Sequence, residues 1–182
     1  GEYVSLDCET TGLNVKQDEI ISVGAVRIVG DKIVSSERFE VLIKAEKGVS
    51  AESARIHRLR DRDLADGIPI QDAMKQLMRF IGSRPLVGYY LEFDVAMLNR
   101  AIWPILGLGL PQPKIEVSAL YYDYKFRQLP PYQQQANPDI DLRFVTLMND
   151  LDLPWREAHD ALNDAVMTAM AFIKLQHLRA GD

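Results

Sequence analysis

The stretch Tyr3-Val4-Ser5-Leu6-Asp7-Cys8-Glu9-Thr10-Thr11-Gly12-Leu13 decides how the chain is read. Tyr3 to Cys8 has strand character, and the turn-prone Thr10-Thr11-Gly12 ends it. Residues i and i+2 of a strand share a face, so Asp7 and Glu9 present two carboxylates side by side, about 7 Å apart. Two such acids repel unless a cation lies between them or one takes up a proton. An Asp-x-Glu at a strand end is by itself most often solvated surface. Here the pair closes an apolar strand and runs into hydroxyls and a glycine whose backbone can approach a ligand. Cys8, between the two acids, points to the other face and reads as core.

Working outward, a polar stretch to Glu19 leads into Ile20 to Val29, rich in β-branched residues. Gly30-Asp31 supplies turn chemistry and Lys32 to Ile43 continues as a strand, so the pair predicts an antiparallel hairpin. Ser50 to His57 and Asp61 to Asp66 read as short helical pieces. Helical spacing recurs in Asp72 to Ile81, through Ala73, Leu77, Phe80 and Ile81, and in Asp94 to Leu106, through Val95, Leu98, Ile102 and Ile105. Pro85 to Tyr90 and Lys114 to Val117 read as short strands. Leu129 to Asn137, with two prolines and three glutamines, predicts a surface loop. Leu142 to Leu151 and Ala161 to Leu178 predict two closing helices, the second with Ala165, Thr168, Ala169, Phe172 and Leu175 along one side. Alternating strands and helices indicate an α/β layer fold.

The 182 residues are 47% hydrophobic and 26% charged with a net charge of −5, enough for one domain, 1–182, with a real core. No bulk positive field draws the chain to nucleic acid or membrane, so a polyanion must be held by local charge or by metal ions. The one cysteine, Cys8, cannot form an internal disulfide, and no Cys/His cluster offers a zinc site, which fits a reducing cytoplasm. No leader-like segment and no long apolar run is seen, so no membrane role is expected. Because Gly1 abuts a strand, the piece is expected to derive from a longer protein.

Two further acids carry chemistry: Asp94, at a strand-to-helix junction after Phe93, and Asp164, five residues after His159. Hard oxygen ligands without cysteine suit Mg²⁺ or Mn²⁺. A pair of such ions stabilises in-line displacement at phosphorus. An imidazole titrates near neutrality, so His159 is the candidate base. Five residues on one ideal helix diverge by about 140°, so His159 is expected just before the last helix and Asp164 in its first turns. Asp160 is expected to be that helix's cap.

Asp7-Cys8-Glu9-Thr10-Thr11-Gly12-Leu13, Phe93-Asp94 and His159-Asp160-Ala161-Leu162-Asn163-Asp164-Ala165 together resemble the three motifs of the DnaQ-like 3′→5′ exonucleases, DEDDh branch, over about Tyr3 to Gln176. This family includes the proofreading epsilon subunit of bacterial DNA polymerase III, RNase T and oligoribonuclease. The resemblance implies an RNase H-like fold: a mixed five-stranded sheet, its first three strands antiparallel, flanked by helices. It implies that Asp7, Glu9, Asp94 and Asp164 hold two Mg²⁺ or Mn²⁺ ions and that His159 is the general base. The substrate would be a single-stranded or frayed 3′ end, DNA favoured over RNA, and the product a nucleoside 5′-monophosphate. Glu52 and His57 fall where the family contacts the terminal nucleotide and Leu13 where a side chain wedges against its base, with Thr10 and Phe93 as further candidate contacts. A proofreading role would call for a polymerase or other protein partner, and a homodimer stays open because several relatives are dimers.

One departure matters. After Gly88 the family commonly has a histidine and an asparagine, whereas this chain has Tyr89-Tyr90-Leu91-Glu92. Tyr90 is a candidate to stack on a base in place of the missing amide, with packing at the strand end the competing expectation. Arg55, Arg58, Arg60 and Arg62 could contact phosphates or, interspersed with Asp61 and Asp63, form a solvated face. Trp103 and Trp155 read as packing residues, and His177 has no evident partner. The alternatives to a DNA exonuclease are a catalytically weak nucleic-acid-binding or scaffold module and an RNA-directed exoribonuclease of the same family.

Overall fold

A computed structural model of the chain describes residues 1–45, 67–157 and 160–181. Strands β1 (Glu2–Thr10), β2 (Ile20–Val29) and β3 (Lys32–Leu42) run in succession, followed by helix α1 (Ile70–Ile81), β4 (Leu86–Gly88), α2 (Leu91–Leu106) and β5 (Lys114–Glu116). Four helices follow among the described residues: α3 (Val117–Arg127), α4 (Pro131–Gln135), α5 (Phe144–Asp150) and α6 (Ala161–Ala180). The sheet order is β3-β2-β1-β4-β5. The first three strands are antiparallel, whereas β4 runs parallel to both β1 and β5. This is the mixed sheet of an RNase H-like fold.

Why β1 lacks a simple polar alternation follows from its central place, since both faces of the sheet are covered. Val4, Leu6 and Cys8 point into one apolar cluster with α1 and α2, and β2 contributes Ile20, Val23 and Ala25 to it. The opposite face is packed by Tyr121 of α3, Leu147 of α5 and Phe172 of α6 against Val26 and Ile28. Cys8 is therefore core, as its register predicts. The odd-numbered residues Ser5, Asp7 and Glu9 face α6. The hairpin turns at Gly30, whose φ of +62° lies in the left-handed region that only glycine enters at no cost.

Several expectations need correction. Helix α3 has no counterpart in the periodicity reading; Tyr121, Tyr122, Tyr124 and Phe126 crowd aromatics onto every side, and only part of one side is buried. The segment Leu129 to Asn137 is not all loop, because Pro131 starts a five-residue helix as a residue with fixed φ readily does. Helix α2 begins at Leu91, so Asp94 lies inside its first turn. Trp103 is no packing residue: 60% of it is exposed, next to the exposed Leu106. Trp155 is covered over most of its surface, with 39% of it exposed. His177 does have a neighbour, with Nε2 3.7 Å from an Asp31 carboxylate oxygen. The proposed helical pieces within 50–66, with Glu52, His57 and the arginine cluster, lie outside the described residues, as does His159. Among the described residues no helix is long and apolar enough to cross a membrane.

Candidate active site

The parallel strands β1, β4 and β5 all end at one edge of the sheet, where an α/β fold commonly opens a ligand crevice. A cleft of about 1170 Å³ lies there. Asp7, Glu9, Thr10 and Leu13 reach it from β1 and the loop that follows, Tyr90, Phe93 and Asp94 from the start of α2, and Asp164 from α6. Eight residues singled out in the sequence thus line one cleft.

Asp164 comes within reach of β1 because α6 lies almost on the sheet. A side chain at Gly24 would put its Cβ 2.2 Å from the backbone nitrogen of Leu162, and Gly24 is the strand partner of Asp7. Ser5, on the same face of β1 as Asp7, donates from Oγ to the Ala165 carbonyl at 2.7 Å in a fully buried bond. Asp160 caps the helix, its Oδ1 accepting from the amides of Leu162 at 3.0 Å and Asn163 at 3.4 Å. This leaves Asp164 free to face the cleft from the first turn. Strand β1 shifts register between Glu9 and Thr10, so pairing changes immediately after the second acid.

Asp7, Glu9 and Asp164 each offer an oxygen within 4.8 Å of the others. Asp94 stands outside this tight group, buried in the cleft wall, with Oδ2 lacking a hydrogen-bond partner among the described residues. Burial pushes the Asp7 carboxyl well above the usual range, and the charges of Asp94, Glu9 and Asp164 push it further. Asp94 is raised chiefly by burial, partly opposed by the Cys8 amide. Asp164 is pushed up to about 7, by burial first and then by Glu9 and Asp160. Such a cluster stores repulsion that a cation would relieve. All-oxygen donors and an orphaned buried carboxylate oxygen fit a hard divalent ion.

The Tyr89-Tyr90 pair divides its labour. Tyr89 packs edge-on to Phe144, ring centroids 4.9 Å apart, and donates its hydroxyl to the Leu142 carbonyl at 2.6 Å. Tyr90 has a left-handed backbone, φ +50°, and 59% of it is exposed at the cleft. Thr10 donates its hydroxyl to the Gly12 carbonyl at 2.7 Å and so shapes the turn. Leu13 stands 85% exposed, while Phe93 is packed partly into the core.

Glu116 is a cleft residue that sequence reasoning missed. Tyr90 has no side chain able to cap α2, and Glu116 serves instead, accepting from the amides of Tyr90 at 3.1 Å and Leu91 at 2.8 Å. The same carboxylate accepts from the amide of Ser118 at 3.0 Å and its hydroxyl at 2.6 Å, capping α3. An acid two residues ahead of Ser118 at the end of an expected strand was the available signal.

An acidic cleft at the carboxyl edge of an RNase H-like sheet defines the class, and comparison with known proteins gives the family. The chain belongs to the exonuclease family RNase_T, whose sequence profile matches residues 4–172. It is 31% identical over 176 residues to the PolC-type DNA polymerase III of Thermotoga maritima, covering 94% of this chain but 12% of that protein. It is 25% identical to the DNA polymerase III subunit epsilon of Aquifex aeolicus, covering 96% of this chain and 80% of that one. Exonuclease X, solved in complex with a 5′-overhanging duplex DNA, superposes with a TM-score of 0.72 at 23% identity, covering 99% of this chain and 93% of that one. The chain is thus an exonuclease domain by family, and it spans only 11% to 12% of the length of the PolC-type relatives.

Proposed function

We propose that the cleft hydrolyses the terminal phosphodiester bond at the 3′ end of single-stranded or frayed DNA and releases nucleoside 5′-monophosphates. The observation that carries this reading is the convergence of Asp7, Glu9 and Asp164 within 4.8 Å. Beside them Asp94 has an unpartnered buried oxygen. Together the four would hold two Mg²⁺ or Mn²⁺ ions. Such ions, when bound, supply a Lewis acid for the scissile phosphate and an activated water.

The chain's own residues do the rest. Asp7, Glu9 and Asp164 would hold the cations, and Ser5 and Gly24 keep Asp164 beside β1. His159, immediately before the Asp160 cap in sequence, takes the proton from the attacking water. Leu13 wedges against the terminal base, and the exposed ring of Tyr90 stacks on a neighbouring one. Glu52 and His57, which fall where the family contacts the terminal nucleotide, would make those contacts. The polymerase III relatives favour DNA as the substrate and a polymerase as a partner.

The test is digestion of 5′-labelled single-stranded DNA and RNA of one sequence in Mg²⁺, in Mn²⁺ and in EDTA. A metal-dependent ladder shrinking from the 3′ end, faster on DNA, is expected. Degradation that survives EDTA would defeat the reading, and faster loss of RNA would reassign the substrate.

A further inference from the structure

Leu13 rides on the loop between β1 and β2, residues 11–19, and an exposed apolar side chain can act as a wedge only if its loop cannot yield. Two residues brace that loop. Asp18 accepts from the Thr11 hydroxyl at 3.0 Å and from the Asn14 amide at 2.7 Å. Its carboxylate lies so close beneath Gly12 that a Cβ there would be 2.5 Å from Oδ2. Backbone bonds tighten the turn further, with Asp18 and Thr11 donating to the carbonyls of Asn14 and Glu19 at 2.8 and 2.9 Å.

The second brace comes from outside the loop. Arg100, on α2, donates from its two terminal guanidinium nitrogens to the carbonyl oxygens of Val15 and Asp18. Helix α2 also carries Asp94 in its first turn. One helix therefore holds both a cleft carboxylate and the far side of the wedge loop. The planar fork of an arginine bridges two carbonyls in fixed geometry, which the single ammonium of lysine does not.

We propose that Arg100 is a positioning residue: by bridging the Val15 and Asp18 carbonyls it fixes Leu13 in register with the cleft carboxylates, so that unpaired 3′ ends are selected over paired ones. This rests on reading the cleft as a 3′-end exonuclease site. Arg100 touches no substrate; it acts through Leu13.

Four proteins test it: Arg100→Gln, Arg100→Lys, Leu13→Ala and the Arg100→Gln/Leu13→Ala double variant. Each is assayed on a single-stranded 3′ end and on a fully paired one. Arg100→Gln is expected to raise KM for the single strand about tenfold, with kcat within about threefold, as loss of uniform binding does. It should reduce the preference for unpaired ends, as should Leu13→Ala. Because both act through one element, the double variant should be no worse than the more severe single one. Arg100→Lys should not rescue. Additive losses, equal loss of kcat on both substrates, or rescue by lysine would overturn the proposal.

Amide hydrogen exchange tests the brace without turnover. Arg100→Gln should speed exchange at Asn14 to Asp18 and leave β1 and the rest of α2 unchanged, and unaltered loop exchange would overturn it. If the wild type cuts neither substrate, the exonuclease reading fails. The same double-variant comparison on oligonucleotide affinity, with exchange, then still decides the brace.

Discussion

Gly24 and Leu162 meet backbone to backbone: a Cβ on the glycine would lie 2.2 Å from the Leu162 nitrogen and 2.4 Å from the Ala161 carbonyl carbon. No flexible side chain is there to yield, so any larger residue at position 24 must push the start of α6 off the sheet. That start carries Asp164, and Gly24 is the strand partner of Asp7. The spacing of two acids 157 positions apart in sequence is thus set by a missing methyl group.

Gly24→Ala is therefore expected to cost about 1 to 3 kcal/mol of stability, the usual range for overpacking. It should also lower turnover, because Asp164 moves away from Asp7 and Glu9. Thermal melts and steady-state rates check both. An unchanged melting temperature with full activity would show that the contact tolerates a methyl group.

The acidic cluster sets a pH dependence. Asp7 and Asp94 are raised well above the usual range and Asp164 to about 7. The folded protein without metal therefore binds protons that the unfolded chain, titrating near 4, has already lost. Stability from this source is fully present below the unfolded value and is lost as pH rises through the folded ones. Melts in EDTA should show the melting temperature falling as pH goes from about 5 to about 8, with saturating Mn²⁺ removing most of the fall. A flat or rising profile in EDTA would contradict the assignment of repulsion to these carboxylates.

Glu116→Ala removes four hydrogen bonds at once and strands the first amides of α2. The expected cost is about 1 to 2 kcal/mol, that of losing a strong cap. KM for oligonucleotide should rise as well, since Tyr90 loses its anchor. A loss of stability with KM unchanged would make Glu116 a cap and nothing more.

His159→Ala should lower kcat about 10² to 10⁴-fold, the ordinary contribution of a general base. Affinity for Mn²⁺, followed by calorimetry, should stay within a few-fold. An equal loss of metal binding would make the histidine a ligand.

The strands were the most legible part of the fold, because β-branched runs and the Gly30 turn announce a hairpin whatever packs on it. Helix α3 was not legible: its tyrosines and phenylalanine obscure the helical period, and burial of Tyr121 depends on α5 and α6, which arrive later in the chain. The first two acids of the cleft were legible because strand register puts Asp7 and Glu9 on one face. What brings Asp164 to them was not, since nothing in Ser22-Val23-Gly24-Ala25 says that a helix end will rest on the glycine. Glu116 escaped for a similar reason: its partners, the amides of Tyr90 and Leu91, belong to a distant segment.

The role proposed for the carboxylates at the end of β1 is to make this cleft a metal-dependent 3′-end nuclease. Its most direct measurement is digestion of one 5′-labelled single strand, in Mg²⁺, by the wild type and by Asp7→Asn in parallel. Stepwise shortening from the 3′ end with 5′-mononucleotide products is expected for the wild type, and an intact strand with a folded protein for Asp7→Asn. Equal degradation by both proteins, or products arising from internal cuts, would contradict it.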